Sequence, residues 1–119
     1  MCRLSLTATL MAALAAIVAS TAPARTGNVV HLSAPVSGLR YDQKVVRAHP
    51  GRIKIVFVNR SSLQHNVNIE RGETELGKTA TVRRGTVSML VTLKAGTYNF
   101  YCSVPGHEDA GMHGTLIVA

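Results

Sequence analysis

Ala95-Gly96-Thr97-Tyr98-Asn99-Phe100-Tyr101-Cys102-Ser103-Val104-Pro105-Gly106-His107-Glu108-Asp109-Ala110-Gly111-Met112 decides the fold, because it changes character halfway along. After the Ala95-Gly96 turn, Tyr98, Phe100 and Cys102 take every second position, so an extended strand would carry one apolar face ending on a thiol. Cys102 is expected to point inward at a strand end. From Ser103 onward the alternation stops, and Pro105, Gly106 and Gly111 suit a tight loop.

The same period of two recurs upstream. His49-Pro50-Gly51 is a turn signal, and Ile53, Ile55 and Phe57 behind it share one face. Candidate strands are 28–32, 41–47, 52–59, 66–70, 79–82, 86–93, 97–102 and 115–118, with no amphipathic helical stretch of useful length between them. This predicts an all-β, two-sheet Greek-key sandwich of seven to eight strands. Residues 71–84 form the most polar stretch and are expected to be loops at a sheet edge. Arg71, Glu73, Glu75, Lys78, Arg83 and Arg84 are read there as a solvated face rather than a site.

A chain of 119 residues suffices for one such domain. Its first 24 residues have the order of an export signal: Arg3, an apolar run from Leu4 to Val18, and small residues at Ala22-Pro23-Ala24. Cleavage is expected before Arg25, leaving a domain over 25–119; a cut after Ser20 also fits. An uncleaved anchor is the alternative, since residues 4–24 carry no charge and approach the roughly 20 residues of a bilayer span. Cleavage removes Cys2, leaves Cys102 as a lone thiol, and places the domain in the periplasm or another extracytoplasmic space. A lone exported thiol needs protection from oxidation, which either metal ligation or plain burial provides.

The formal net charge is +7, or +6 without Arg3. The positives are scattered and no aromatic stacking surface accompanies them, which argues against nucleic acid. An acidic protein partner suits a basic surface better, with membrane contact only through partners or a retained leader.

The chemistry concentrates in the loop. Cys102, His107 and Met112 recur at intervals of five, offering a thiolate, an imidazole and a thioether. This soft set suits copper and not magnesium or calcium. A further nitrogen is available from His65, in the polar segment Ser61-Ser62-Leu63-Gln64-His65-Asn66-Val67. Taken singly, His65 reads as a loop histidine, Cys102 as a buried thiol and Met112 as a core filler; together they read as one metal site. His113 faces the opposite side from Met112 in an extended chain, and His31 and His49 have no soft partners, so these three are read as non-ligating.

With these residues in place, the chain from Val29 to Ala119 resembles the cupredoxin family, the small type 1 blue copper proteins such as plastocyanins and azurins. The resemblance lies in a strand ending at Asn59 followed by His65-Asn66, then Tyr101-Cys102, Pro105-Gly106-His107, Gly111-Met112 and Gly114-Thr115-Leu116-Ile117-Val118. The ligand-loop spacing assigns no subfamily. The resemblance implies one copper ion held by His65 Nδ1, Cys102 Sγ and His107 Nδ1, with Met112 Sδ as a long axial ligand. It also implies that Asn66 braces the ligand loop.

The expected function is single-electron transfer between extracytoplasmic redox partners by a monomer that is not an enzyme. A copper chaperone or store using the same site is the alternative, though Met89 is the one further methionine outside the leader. There is no second mature cysteine for a binuclear centre and no His-x-His pair for oxygen chemistry.

Overall fold

The structure, a computed structural model, describes residues 27–119 and the single residue Ala16. Ala16 apart, the expected leader over 1–24 lies outside the described residues. Eight strands follow one another with no helix among the described residues: β1 Val29–Ala34, β2 Val45–Ala48, β3 Gly51–Asn59, β4 Asn68–Arg71, β5 Thr74–Lys78, β6 Gly85–Leu93, β7 Gly96–Tyr101 and β8 His113–Val118.

They form two sheets, ordered β1-β3-β6 and β2-β8-β7-β4-β5. Strand β3 runs the length of the smaller sheet, antiparallel to β6 from Gly51↔Leu93 to Asn59↔Gly85 and parallel to β1. Its alternation works as expected: Ile53, Ile55 and Phe57 are buried while Arg52 and Lys54 are exposed. Across the core β7 does the same with Tyr98 and Phe100, and Cys102 follows with 0% exposure. Each Leu, Ile or Phe so enclosed contributes about 1.5–3 kcal/mol of apolar transfer.

Tyr41 fills the space between the sheets, its ring edge-on to Phe57 at 5.8 Å and to Phe100 at 5.3 Å between centroids. Close approach has a local requirement at Gly114, opposite Phe100 in the β7–β8 ladder. A Cβ there would overlap the Phe100 ring and come within 2.6 Å of the Lys44 carbonyl oxygen.

Three sequence expectations need correction. Residues 79–82 form no strand; Val82 makes only an isolated bridge to His65, and the Thr79 hydroxyl takes the Val67 amide instead. The polar stretch holds a strand after all, since β5 pairs with β4 as a hairpin over Gly72 at φ 60°. Backbone pairing at a sheet edge needs no apolar face, so alternation gave no sign of it. Of 41–47 only the end joins a ladder, because Tyr41 is held by its ring packing rather than by strand pairing. The charges at Arg71, Glu73, Glu75, Lys78, Arg83 and Arg84 are exposed, as read from sequence.

Candidate metal centre

Two irregular segments close one end of the sandwich. The first, after β3, is organised by Asn59: its side-chain amide donates to the carbonyls of Leu63 at 2.8 Å and Val82 at 2.7 Å, and its oxygen accepts from the Ser61 amide at 2.8 Å. His65 follows, tied to Val82 by two backbone hydrogen bonds of 3.0 Å. Its ring is fully enclosed, with Nε2 lacking any partner among the described residues and Nδ1 turned toward the second segment.

That second segment is the loop between β7 and β8. Gly106 at φ 81° and Gly111 at φ 113° adopt backbone that side chains disfavour, and between them the loop closes on itself. The Met112 amide donates to the His107 carbonyl and the Cys102 amide to the Met112 carbonyl, both at 3.0 Å. The three expected positions are thereby tied within one loop, with Cys102 and Met112 buried and His107 half-buried.

Asn66 joins the segments. Its side-chain amide donates to Ser103 Oγ at 2.8 Å and Thr81 Oγ1 at 2.9 Å, while its oxygen accepts from the Ser103 amide and from the Asn68 side chain, both at 2.9 Å. The residue beside Cys102 is thus bonded to the residue beside His65. This bracing role was implied by resemblance; the parts played by Asn59, Ser61, Asn68, Thr79 and Thr81 were not legible, because single Asn, Ser and Thr residues carry no spacing signal.

The outcome is a cluster in which the ligand atoms of His65, Cys102 and His107 all lie within 4.8 Å of one another. The two Nδ1 atoms are 3.1 Å apart, and Cys102 Sγ is 3.6 Å from His107 Nδ1 and 3.9 Å from His65 Nδ1. Donors about 2.0–2.3 Å from one shared ion, as N and S ligands of a transition metal are, stand roughly 3–4 Å from each other, so the triangle fits a single metal. Burial, and then the facing His107, hold the His65 pKa below the usual imidazole range, which keeps its nitrogen lone pair free. Two imidazoles and a thiol, with Met112 buried on the same loop, form a donor set for copper. His31, His49 and His113 are exposed and stand outside the cluster.

Outside this triangle, Glu70, Asn99, Glu108, Asp109, His113 and Gly114 line an open polar cavity of about 400 Å³ beside the ligand loop. Tyr101 lies near this acidic ground: burial, then Glu70, Glu75 and Glu108, push its pKa above the usual phenol range.

A two-sheet sandwich with a thiol and two imidazoles meeting at one end defines the cupredoxin class of protein. The sequence pattern of the copper binding proteins of the plastocyanin/azurin family matches residues 28–119, and the chain belongs to that family. Among solved structures it is similar to the auracyanin of the photosynthetic bacterium Roseiflexus castenholzii, at 24% identity and TM-score 0.73, over 78% of this chain and 98% of that one. Auracyanin A, described as a blue copper protein of Chloroflexus aurantiacus, gives 22% identity and TM-score 0.71, over 76% and 98%. Rusticyanin of Thiobacillus ferrooxidans gives 20% identity and TM-score 0.62, over 79% of each chain. No curated protein sequence matches the chain.

Proposed function

We propose that this protein carries single electrons between redox partners through one type 1 copper ion. His65 Nδ1, Cys102 Sγ and His107 Nδ1 would hold it strongly and Met112 Sδ weakly. The carrying observation is the triangle of donors at 3.1, 3.6 and 3.9 Å on two segments braced by Asn66. When bound, copper supplies a Cu(II)/Cu(I) couple whose potential is tuned by the axial ligand and the surroundings of the sulfur. The chain's part is to hold one donor geometry through both states, which the Asn59 and Asn66 hydrogen bonds and the rigid sandwich favour. Enclosure of His65, Cys102 and Met112 supports a retained redox centre over a delivery site, which needs labile metal. Nothing in this role requires a substrate cavity or a catalytic group.

His107 is the ligand with an open edge, surrounded by exposed Pro105, Gly106 and Ala110, and is the proposed port for electrons. Contact over the small patch of Pro105, Gly106 and Ala110 suits brief redox encounters. Export fits the same reading: removal of residues 1–24 would leave an extracytoplasmic monomer of net charge +6, steered toward acidic partners. Glu108 and Asp109 are exposed on the ligand loop itself, so that steering has to come from basic residues elsewhere on the surface. Association is therefore expected to slow as salt rises; a rate flat or rising with salt would remove the steering and leave the centre untouched.

An absorption spectrum of the Cu(II)-loaded protein tests the main proposal. An intense thiolate-to-copper band in the visible is expected, and Cys102→Ser should abolish it. A colourless copper-loaded wild type, or a band surviving in the variant, would sink the assignment.

A further inference from the structure

Residues 41–44, the irregular chain leading into β2, reach both ligand-bearing segments. Tyr41 sends its hydroxyl across the core to donate to the Asn66 carbonyl at 2.5 Å, on the residue next to His65. Burial, and then the nearby Cys102, push its phenol far above the usual range, so it stays a protonated donor. Lys44 sends its ammonium the other way, donating to the Gly111 carbonyl at 2.6 Å and the His113 carbonyl at 3.3 Å. Those carbonyls flank Met112. The strap between them is itself fixed: the Asp42 amide donates to the Ser33 carbonyl and the Ser33 amide to Asp42 Oδ1, both at 2.8 Å, and the Lys44 carbonyl accepts from the Thr115 amide at 2.8 Å.

We propose that Tyr41 and Lys44 are positioning residues, and that the strap they share sets the upstream histidine segment and the Met112 end of the ligand loop relative to one another. Asn66 already ties His65 to the Cys102 side of the loop. The strap ties the same segment to the opposite side, so the ligand set is clamped from two directions. Lys44 has a second effect, since its positive charge beside the loop favours the less positive, reduced state of a bound ion. For that consequence the proposal rests on the copper reading above.

Hydrogen exchange of the metal-free protein tests the clamp without copper. Tyr41→Phe should speed exchange of the His65 and Val67 amides about fivefold, the worth of one hydrogen bond, and Lys44→Met should do so at the Cys102 and Met112 amides. Lys44→Arg should restore the wild-type rates. The β3–β6 ladder amides should be unchanged in all three variants, since a merely structural loss would raise every amide together. A uniform rise, or no local rise, would overturn the proposal. In the copper-loaded protein, Lys44→Met should lower the reduction potential while Tyr41→Phe leaves the charge environment intact, and both should release copper faster to a chelator. A wild type that takes up no copper would remove the copper reading, and the exchange pattern would still decide the strap.

Discussion

The ligand end and the β4–β5 hairpin stand in opposite relation to their own backbone. Residues 61–67 and 102–112 make almost no ladder, yet Ser61, His65, Asn66, Cys102 and Met112 are buried. The hairpin is paired throughout, with one register shift between Ile69 and Glu70, yet Glu73, Glu75 and Lys78 point to solvent and Arg71, though exposed, lies over the Tyr98 ring. At the ligand end, order comes from side chains that satisfy backbone groups: Asn59, Ser61, Asn66 and Thr79 each take amides or carbonyls that a ladder would otherwise take. In the hairpin beyond the buried Asn68 and Ile69, order comes from the ladder. The site should accordingly be sensitive to single side chains, and the hairpin nearly indifferent to its exposed ones.

The largest effect is expected just beyond the ligand loop, at Gly114 in β8. Gly114→Ala drives a methyl group into the Phe100 ring and the Lys44 carbonyl, and the backbone cannot retreat without breaking β7–β8 pairing. A loss of about 3 kcal/mol or more is expected, at the upper end of overpacking costs, read as a fall in the denaturation midpoint. An unshifted midpoint would mean that Phe100 has room to rotate away.

Asn66→Ala comes next. It strips four hydrogen bonds from the joint between the ligand segments and leaves the Ser103 amide unpaired. About 1–3 kcal/mol of stability should go in equilibrium unfolding, with faster loss of copper to a chelator. Unchanged copper release would show that the two segments are held together without this joint.

Met112→Leu keeps the buried volume nearly constant, so stability should change by less than about 1.5 kcal/mol. Copper should stay bound and its reduction potential should rise, because a lost thioether donor disfavours Cu(II). Voltammetry reads the shift; loss of the metal would make Met112 a strong ligand instead.

The smallest effect belongs to the hairpin. Glu75→Gln, on an exposed edge strand, should move stability by no more than about 0.5 kcal/mol and leave the visible spectrum unaltered. A larger change in either would show that β5 supports the site and would collapse the contrast.

What could be read beforehand follows the same divide. Strands β3 and β7 were legible because period-two burial writes itself into the sequence at 53, 55 and 57 and at 98, 100 and 102. The ligand candidates were legible because Cys, His and Met are scarce and chemically distinct, and their grouping agreed with a family pattern. Strand β5 was not, since an exposed edge strand is chosen by its neighbour's free backbone and leaves no apolar period. The strand expected at 79–82 failed for the converse reason: its β-branched residues serve side-chain hydrogen bonds at Thr79 and Thr81 rather than a ladder.

By itself, then, the sequence determined the sandwich, its inward-facing strand positions and the identity of the candidate donors, because burial period and rare side chains are local properties of a chain. The tertiary structure alone decided that His65, 37 positions before Cys102, comes within 3.9 Å of its sulfur. It alone decided which partners Asn66 takes on the ligand loop, and that Tyr41 and Lys44 reach opposite sides of the ligand set. Those relations depend on which strands pair across the core and how closely Phe100 settles on Gly114, and such distances between remote residues have no local signature in a sequence.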